Sequence, residues 1–264
     1  MSIYVALLAG CVLTMILGKF VLAELRKLKA GQEIRQDGPT WHMSKQGTPT
    51  MGGLMFIIGI ALAVILGGLI TGTLSVHALA ILGLSAAYGA VGLVDDYAKI
   101  KKKENAGLTP RQKLVLQILV AAVFILVLFL ESDGLPSLMI PFTGISIDLP
   151  WPVYIIFAAF VIVGADNAVN LTDGIDGLAA SVTVPVAVFF AAVGARIGNT
   201  GVTIFAGALA GGLLGFLIYN FNPAKVFMGD TGSLFLGGAV AGMAFACDMP
   251  LILLLVGLIY IIET

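Results

Sequence analysis

The sequence predicts an all-α integral membrane protein, a polytopic bundle of about nine transmembrane helices with a small β-hairpin on its outer side. Three observations predict it. The 264 residues are 59% hydrophobic and only 11% charged, with a mean hydropathy of +1.06, whereas a soluble domain carries about 25% charged residues. The apolar residues fall in runs close to the roughly 20 residues that cross a bilayer as a helix. Finally, twelve of the fourteen Lys and Arg residues lie in alternate connections between those runs.

The runs cover 3–24, 51–70, 76–94, 113–130, 151–169, 178–195, 201–219, 233–247 and 249–263. In the first, Leu8-Ala9-Gly10-Cys11 has the form of a lipoprotein processing box. No basic residue precedes it, however, and the apolar run continues past Cys11, so a retained helix fits better. The second cysteine, Cys247, also lies in an apolar run, which leaves no disulfide framework and no metal-ligand spacing.

Basic residues orient the spans. Arg26, Lys27, Lys29, Arg35 and Lys45 fall in connection 25–50, a further six fall between Lys99 and Lys113, and Lys225 falls in connection 220–232. Those three connections are expected to be cytoplasmic, with the N-terminus outside. Arg196 lies on the other side, and Lys19 lies within the first span. Outside, residues 131–150 hold two short β-prone runs around Thr143-Gly144, the pattern of a hairpin. Gly207, Gly211 and Gly215, like Gly238 and Gly242, recur every four residues, a spacing that lets helix backbones approach closely in lipid. No internal repeat is visible. A net charge of −1 gives no sign of nucleic-acid binding.

Four polar stretches fall on the side assigned to the cytoplasm. Lys45-Gln46-Gly47-Thr48-Pro49-Thr50-Met51-Gly52-Gly53 could hold phosphate through backbone N–H, hydroxyl and ammonium groups, or could be a turn with Thr50 capping the next helix. Asp95-Asp96-Tyr97-Ala98-Lys99 sets two carboxylates side by side, unfavourable at a membrane boundary unless a cation or partner neutralises them. A solvated helix end is the plainer reading. Asp166 to Gly177 contains Asn167, Asn170, Asp173 and Asp176. The first three of these share a helical face, in an oxygen-rich patch of the kind hard cations such as Mg²⁺ take. In the stretch from Asn220 to Ser233, Asp230 is either a ligand or a helix cap, and Phe227 either a contact or an interfacial anchor.

The strings Gly47-Thr48-Pro49-Thr50-Met51-Gly52-Gly53, Asn167-Ala168-Val169-Asn170-Leu171-Thr172-Asp173-Gly174 and Phe227-Met228-Gly229-Asp230-Thr231-Gly232-Ser233-Leu234 closely resemble the polyprenyl-phosphate N-acetylhexosamine-1-phosphate transferase family, particularly its muramoyl-pentapeptide branch. The resemblance covers essentially the whole chain. It implies transfer from UDP-MurNAc-pentapeptide to undecaprenyl phosphate at the inner leaflet of a bacterial cell membrane, giving lipid I and UMP in peptidoglycan synthesis, with Mg²⁺ as cofactor. It also implies roles. Asp230 would coordinate Mg²⁺, with Asp173 a second candidate ligand. Asp95 and Asp96 would be catalytic. Lys45, Thr50, Lys99, Lys113, Asn170, Asp173, Asp176, Asn220 and Phe227 would contact substrate, Phe227 by stacking on uracil. The family's tenth span and histidine-rich motif have no counterpart here, where the only histidines are His42 and His77. Residues 1–264 are accordingly expected to form one transmembrane domain that continues beyond Thr264 in the natural protein.

Three other readings compete. A sister enzyme would use UDP-N-acetylglucosamine. A secondary transporter would place its ionisable residues near the bilayer midplane and often shows repeated halves. A structural scaffold would have no reason to gather carboxylates on the basic face. A homodimer through the glycine-rich or terminal spans is an open arrangement.

Overall fold

The computed structural model describes residues 3–28, 47–72, 74–102, 106–132 and 134–264. Helices α1 (Ile3–Lys27), α2 (Gly53–Thr71), α3 (Val76–Lys102), α4 (Pro110–Glu131), α5 (Trp151–Thr172), α6 (Leu178–Ile197) and α7 (Thr200–Asn220) follow one another along the chain. Among the described residues, these seven are long and apolar enough to cross a membrane. Between α4 and α5 stands the expected hairpin, in which β1 (Ser137–Ile140) pairs antiparallel with β2 (Ile145–Asp148), with Ile140 opposite Ile145.

The two remaining expected spans differ from the seven. Helix α8 (Gly229–Ala246) is buried without interruption from Thr231 to Phe245. It forms the axis of the bundle, in contact with α2, α3, α5, α6 and α7. Its glycines have a packing cause, because they replace side chains where neighbours press in. A Cβ at Gly238 would meet Tyr88 and Ser85 of α3, and one at Gly242 would meet Ile81. The expected span 249–263 is not one continuous helix. A 3₁₀ turn at Pro250–Ile252 leads into α9 (Leu253–Val256), and α10 (Leu258–Ile262) follows Gly257. Proline favours a first turn and glycine weakens helix continuity, which accounts for both interruptions.

The four-residue glycine ladder of α7 packs on α1. A Cβ at Gly211 would strike the Leu7 carbonyl, and one at Gly215 the Cys11 carbonyl. Without a hydrophobic driving force between helices in lipid, such close backbone approach carries much of the association. The second face of the core is aromatic. Phe129, Trp151, Tyr154 and Phe245 form an edge-to-face chain with centroids 4.7, 5.5 and 6.1 Å apart.

Candidate active site

The C-terminal ends of α3, α5 and α7 and the N-terminal ends of α2, α4 and α8 gather at one end of the bundle. Helix α3 continues past its apolar run to Lys102, so Asp95 and Lys99 stand one turn apart and pair at 2.6 Å. Helix α4 is started by Thr109, whose hydroxyl accepts from Gln112 N while the Gln112 side chain accepts from Thr109 N. This capping box fixes the first turn, from which Lys113 projects. Helix α5 carries Asn170 on its last turn, and α8 carries Asp230 on its first.

These side chains meet at Asp230. Lys99 and Lys113 both donate to its Oδ2, at 3.0 and 3.1 Å, and Asn170 donates to its Oδ1 at 3.0 Å. Lys113 also donates to Asn170 Oδ1 at 3.1 Å, and Asn170 to Ser233 at 2.7 Å. The approach of α3 to α8 needs Gly92, since a Cβ there would overlap the Asp230 carbonyl.

The adjacent carboxylates of α3 have separate surroundings. Asp96 accepts from Asp230 N at 3.2 Å, Thr231 N at 2.9 Å and Thr231 Oγ1 at 2.7 Å. It therefore caps α8 from a different helix, satisfying N–H groups that the helix cannot satisfy itself and favouring the positive end of its dipole. Gly229, with φ +73°, completes the turn in the left-handed region, and a Cβ there would press on Asp96 and Thr50. Asp95 instead accepts from Leu108 N at 2.7 Å and lines a cavity of about 650 Å³ with Lys99, Lys113, Gln117, Asn167 and Asp230.

One carboxylate oxygen from each of Asp95, Asp96 and Asp230 lies within 4.8 Å of the others. Such a set of hard oxygen donors suits a divalent cation, and the Lys99 ammonium now compensates its charge. Asp173, at the C-cap of α5, lies within range of the same charges. Burial, then the negative charges of Asp230, Asp96 and Asp176, push its carboxyl well above the usual range.

The remaining expected residues lie around this cluster. Asn220 Oδ1 accepts from Gly177 N at 3.1 Å and its Nδ2 donates to the Val226 carbonyl at 2.9 Å. Asp176 accepts from Ala224 N at 3.1 Å. Both residues join the loop after α5 to the loop after α7. Phe227 and Thr50 lie where those loops meet the segment before α2. There Phe227 N donates to the Pro49 carbonyl at 2.8 Å, and Gly52 N to the Phe227 carbonyl at 2.9 Å. The cap position of α2 is Gly52, with no side-chain cap, so Thr50 does not serve as one. Lys45 lies outside the described residues. Gln117 was not anticipated, although a lone amide within an apolar run, four residues after Lys113, is a signal the sequence contains.

Residues 77–248 match glycosyl transferase family 4, and residues 45–57 match signature 1 of phospho-N-acetylmuramoyl-pentapeptide-transferase. Proteins carrying that name are similar over most of the chain. The one from Caldanaerobacter subterraneus subsp. tengcongensis is 44% identical over 262 residues, covering 99% of this chain and 81% of its own. Those of Desulforamulus reducens and Staphylococcus carnosus are 45% and 41% identical, covering 95% and 99% of this chain and 75% and 82% of their own.

Proposed function

We infer that this chain, which belongs to glycosyl transferase family 4 and within it to the phospho-N-acetylmuramoyl-pentapeptide transferases, joins its substrates at the carboxylate and lysine cluster. Its reaction is the transfer of phospho-MurNAc-pentapeptide to a polyprenyl phosphate carrier in peptidoglycan synthesis. The donor is UDP-MurNAc-pentapeptide, the carrier undecaprenyl phosphate, and the products lipid I and UMP. The observation that carries the assignment to this site is the convergence of Asp95, Asp96 and Asp230 with Lys99 and Lys113 around one cavity.

The difficulty of this reaction is bringing two anions together. At an effective dielectric of 20, two unit charges 4 Å apart repel by roughly 4 kcal/mol. Lys99 and Lys113 offset that repulsion by reaching the incoming phosphates, for which they exchange part of their pairing with Asp230. The carrier phosphate, with a second pKa of about 6, is already largely ionised and needs little help from a base. Its oxygen attacks the sugar-linked phosphorus of the donor, and the bond to the nucleotide phosphate breaks, with UMP leaving on the electron pair. Asp95, which faces the cavity, is the carboxylate placed to meet the carrier phosphate, whereas Asp96 holds the first turn of α8 in place. Asp95, Asp96 and Asp230 would hold Mg²⁺, with Asp173 beside them. Mg²⁺ would supply charge neutralisation at the phosphates.

Twelve basic residues in alternate connections support an orientation with this end of the bundle at the cytoplasmic face of the cell membrane and the N-terminus outside. Labelling of cysteines introduced singly at the two ends checks that orientation.

The direct test follows UMP release by the purified protein. Release should need both the carrier and Mg²⁺ and disappear in Asp230→Ala. Release with UDP-N-acetylglucosamine alone among donors would overturn the substrate assignment. Exchange of labelled UMP into the donor without carrier would exclude direct attack.

A further inference from the structure

We propose that Asp166 is a positioning residue for this transfer, acting through Gln117 to keep Lys113 aimed at the site. The proposal rests on the reading of Lys113 as a phosphate-binding group. Helices α4 and α5 run antiparallel and are joined by two polar rungs. The upper rung is Lys113 with Asn170, both bound to Asp230. The lower rung lies deeper in the bundle. Gln117 Nε2 donates to Asp166 Oδ2 at 2.7 Å and to Asn167 Oδ1 at 3.3 Å, and Asn167 Nδ2 donates back to Gln117 Oε1 at 3.1 Å.

Spacing makes the rungs neighbours. Gln117 follows Lys113 by four residues on α4, and Asp166 precedes Asn170 by four on α5, so each pair shares a helix face. Tyr88 of α3 donates to the Gln117 carbonyl at 3.0 Å, which ties the lower rung to a third helix. Asp166 is 0% and Gln117 1% exposed. Helix α8 seals the rung from behind at Gly237, where a Cβ would run into Asp166.

A carboxylate in this setting is an unfavourable way to join two helices. Charges inside a bilayer are expensive and mark functional positions, and Asp166 Oδ1 has no donor among the described residues. Apolar side chains would pack the seam without that penalty. The carboxylate adds direction. It fixes the Gln117 amide in one orientation. Gln117 and Asn167 line the same cavity as Lys113. Loss of the lower rung frees α4 to rotate about its axis, and a small misplacement of a binding group is enough to weaken catalysis strongly.

The experiment compares the intact wild-type protein with Asp166→Ala, Asp166→Asn and Gln117→Met. Asp166→Ala and Gln117→Met should raise the KM for undecaprenyl phosphate by about tenfold or more. Asp166→Asn keeps an acceptor for Gln117 and should return KM to within about twofold of wild type. A purely structural role would lower the amount of active protein, and hence apparent kcat, with KM unmoved. Unmoved KM in both disruptive variants overturns the proposal, as does an Asn variant as impaired as the Ala variant. A second readout does not depend on turnover. The rate of Lys113 acetylation by acetic anhydride, followed by mass spectrometry, should rise in Asp166→Ala and Gln117→Met. Wild-type protein that fails to transfer to the carrier would refute the functional reading, whereas unchanged Lys113 labelling would refute the positioning role alone.

Discussion

The site end of the helix bundle adds ion pairs to the backbone and amide bonds that both ends share. At the site end, Lys99 bridges carboxylates of α3 and α8, Lys113 ties α4 to the α8 carboxylate, and Asp96 of α3 caps α8. At the other end, backbone and amide groups do the joining. Met139 N donates to the Asp248 carbonyl at 2.8 Å, Leu149 N to the Pro136 carbonyl at 2.9 Å, and Asn199 Nδ2 to the Ala246 carbonyl at 3.0 Å. Trp151 links Phe129 to Tyr154 in the adjacent aromatic chain and donates to the Gly134 carbonyl. Ion pairs can be exchanged for a phosphate or a cation, because the incoming charge replaces the one released. Backbone bonds have no such substitute. The difference separates an end whose ion pairs a bound charge could replace from an end that keeps the helices in register.

Substitutions can break that contrast, beginning with the largest effect. Asp230→Ala removes the residue on which both lysines and Asn170 converge, and turnover should fall by about 1000-fold or more, measured as initial rate of UMP release. Next, Asp95→Ala and Asp96→Ala should both lose most activity but differ in stability. Asp96→Ala leaves the N–H groups of α8 without their acceptor and should lower stability by about 1.5–3 kcal/mol, read as a lower thermal midpoint in detergent. Asp95→Ala gives up one backbone partner and an ion pair with Lys99, which keeps Asp230 as a partner, and should lower the midpoint less. Equal midpoints would mean that the two carboxylates are not divided between capping and chemistry. At the far end, Asn199→Ala removes the α7 cap and should cost about 1 kcal/mol of stability with turnover unchanged. A changed KM there would show that the far end takes part in the reaction. The smallest effect should come from Phe142→Ser at the hairpin tip, 89% exposed, with neither midpoint nor rate altered.

The same contrast explains what the sequence made legible. The apolar runs and the two β-prone segments give seven spans and the hairpin directly, because those elements answer to composition and alternation. In the sequence, helix α8 is one more apolar run like the others. Its central place depends on Gly238 and Gly242 meeting α3, which spacing suggests without naming the partner. At the site, the sequence pointed to the stretches that meet but not to the division of labour within them. Asp95 and Asp96 are equivalent as neighbours in a chain, and only the approach of α8 sets them apart. Asn220 and Asp176 are likewise polar residues in polar loops until the loops are seen to be bonded to each other. Gln117 is a single amide in an apolar run, and its importance emerges once Asp166 and Asn167 are beside it.

The complete burial of α8 has a consequence for how the protein is made. A helix that begins with Gly-Asp-Thr-Gly-Ser and carries glycines along its length gains little from contact with acyl chains. Its stable place is a slot already walled by α2, α3, α5, α6 and α7, all of which are synthesised before it. During translation those helices must hold the slot open, or close it loosely, until α8 leaves the ribosome and slides in. Until then the nascent chain lacks Asp230, the residue at which Lys99, Lys113 and Asn170 meet. Insertion of α8 and completion of the carboxylate and lysine cluster are thus one event.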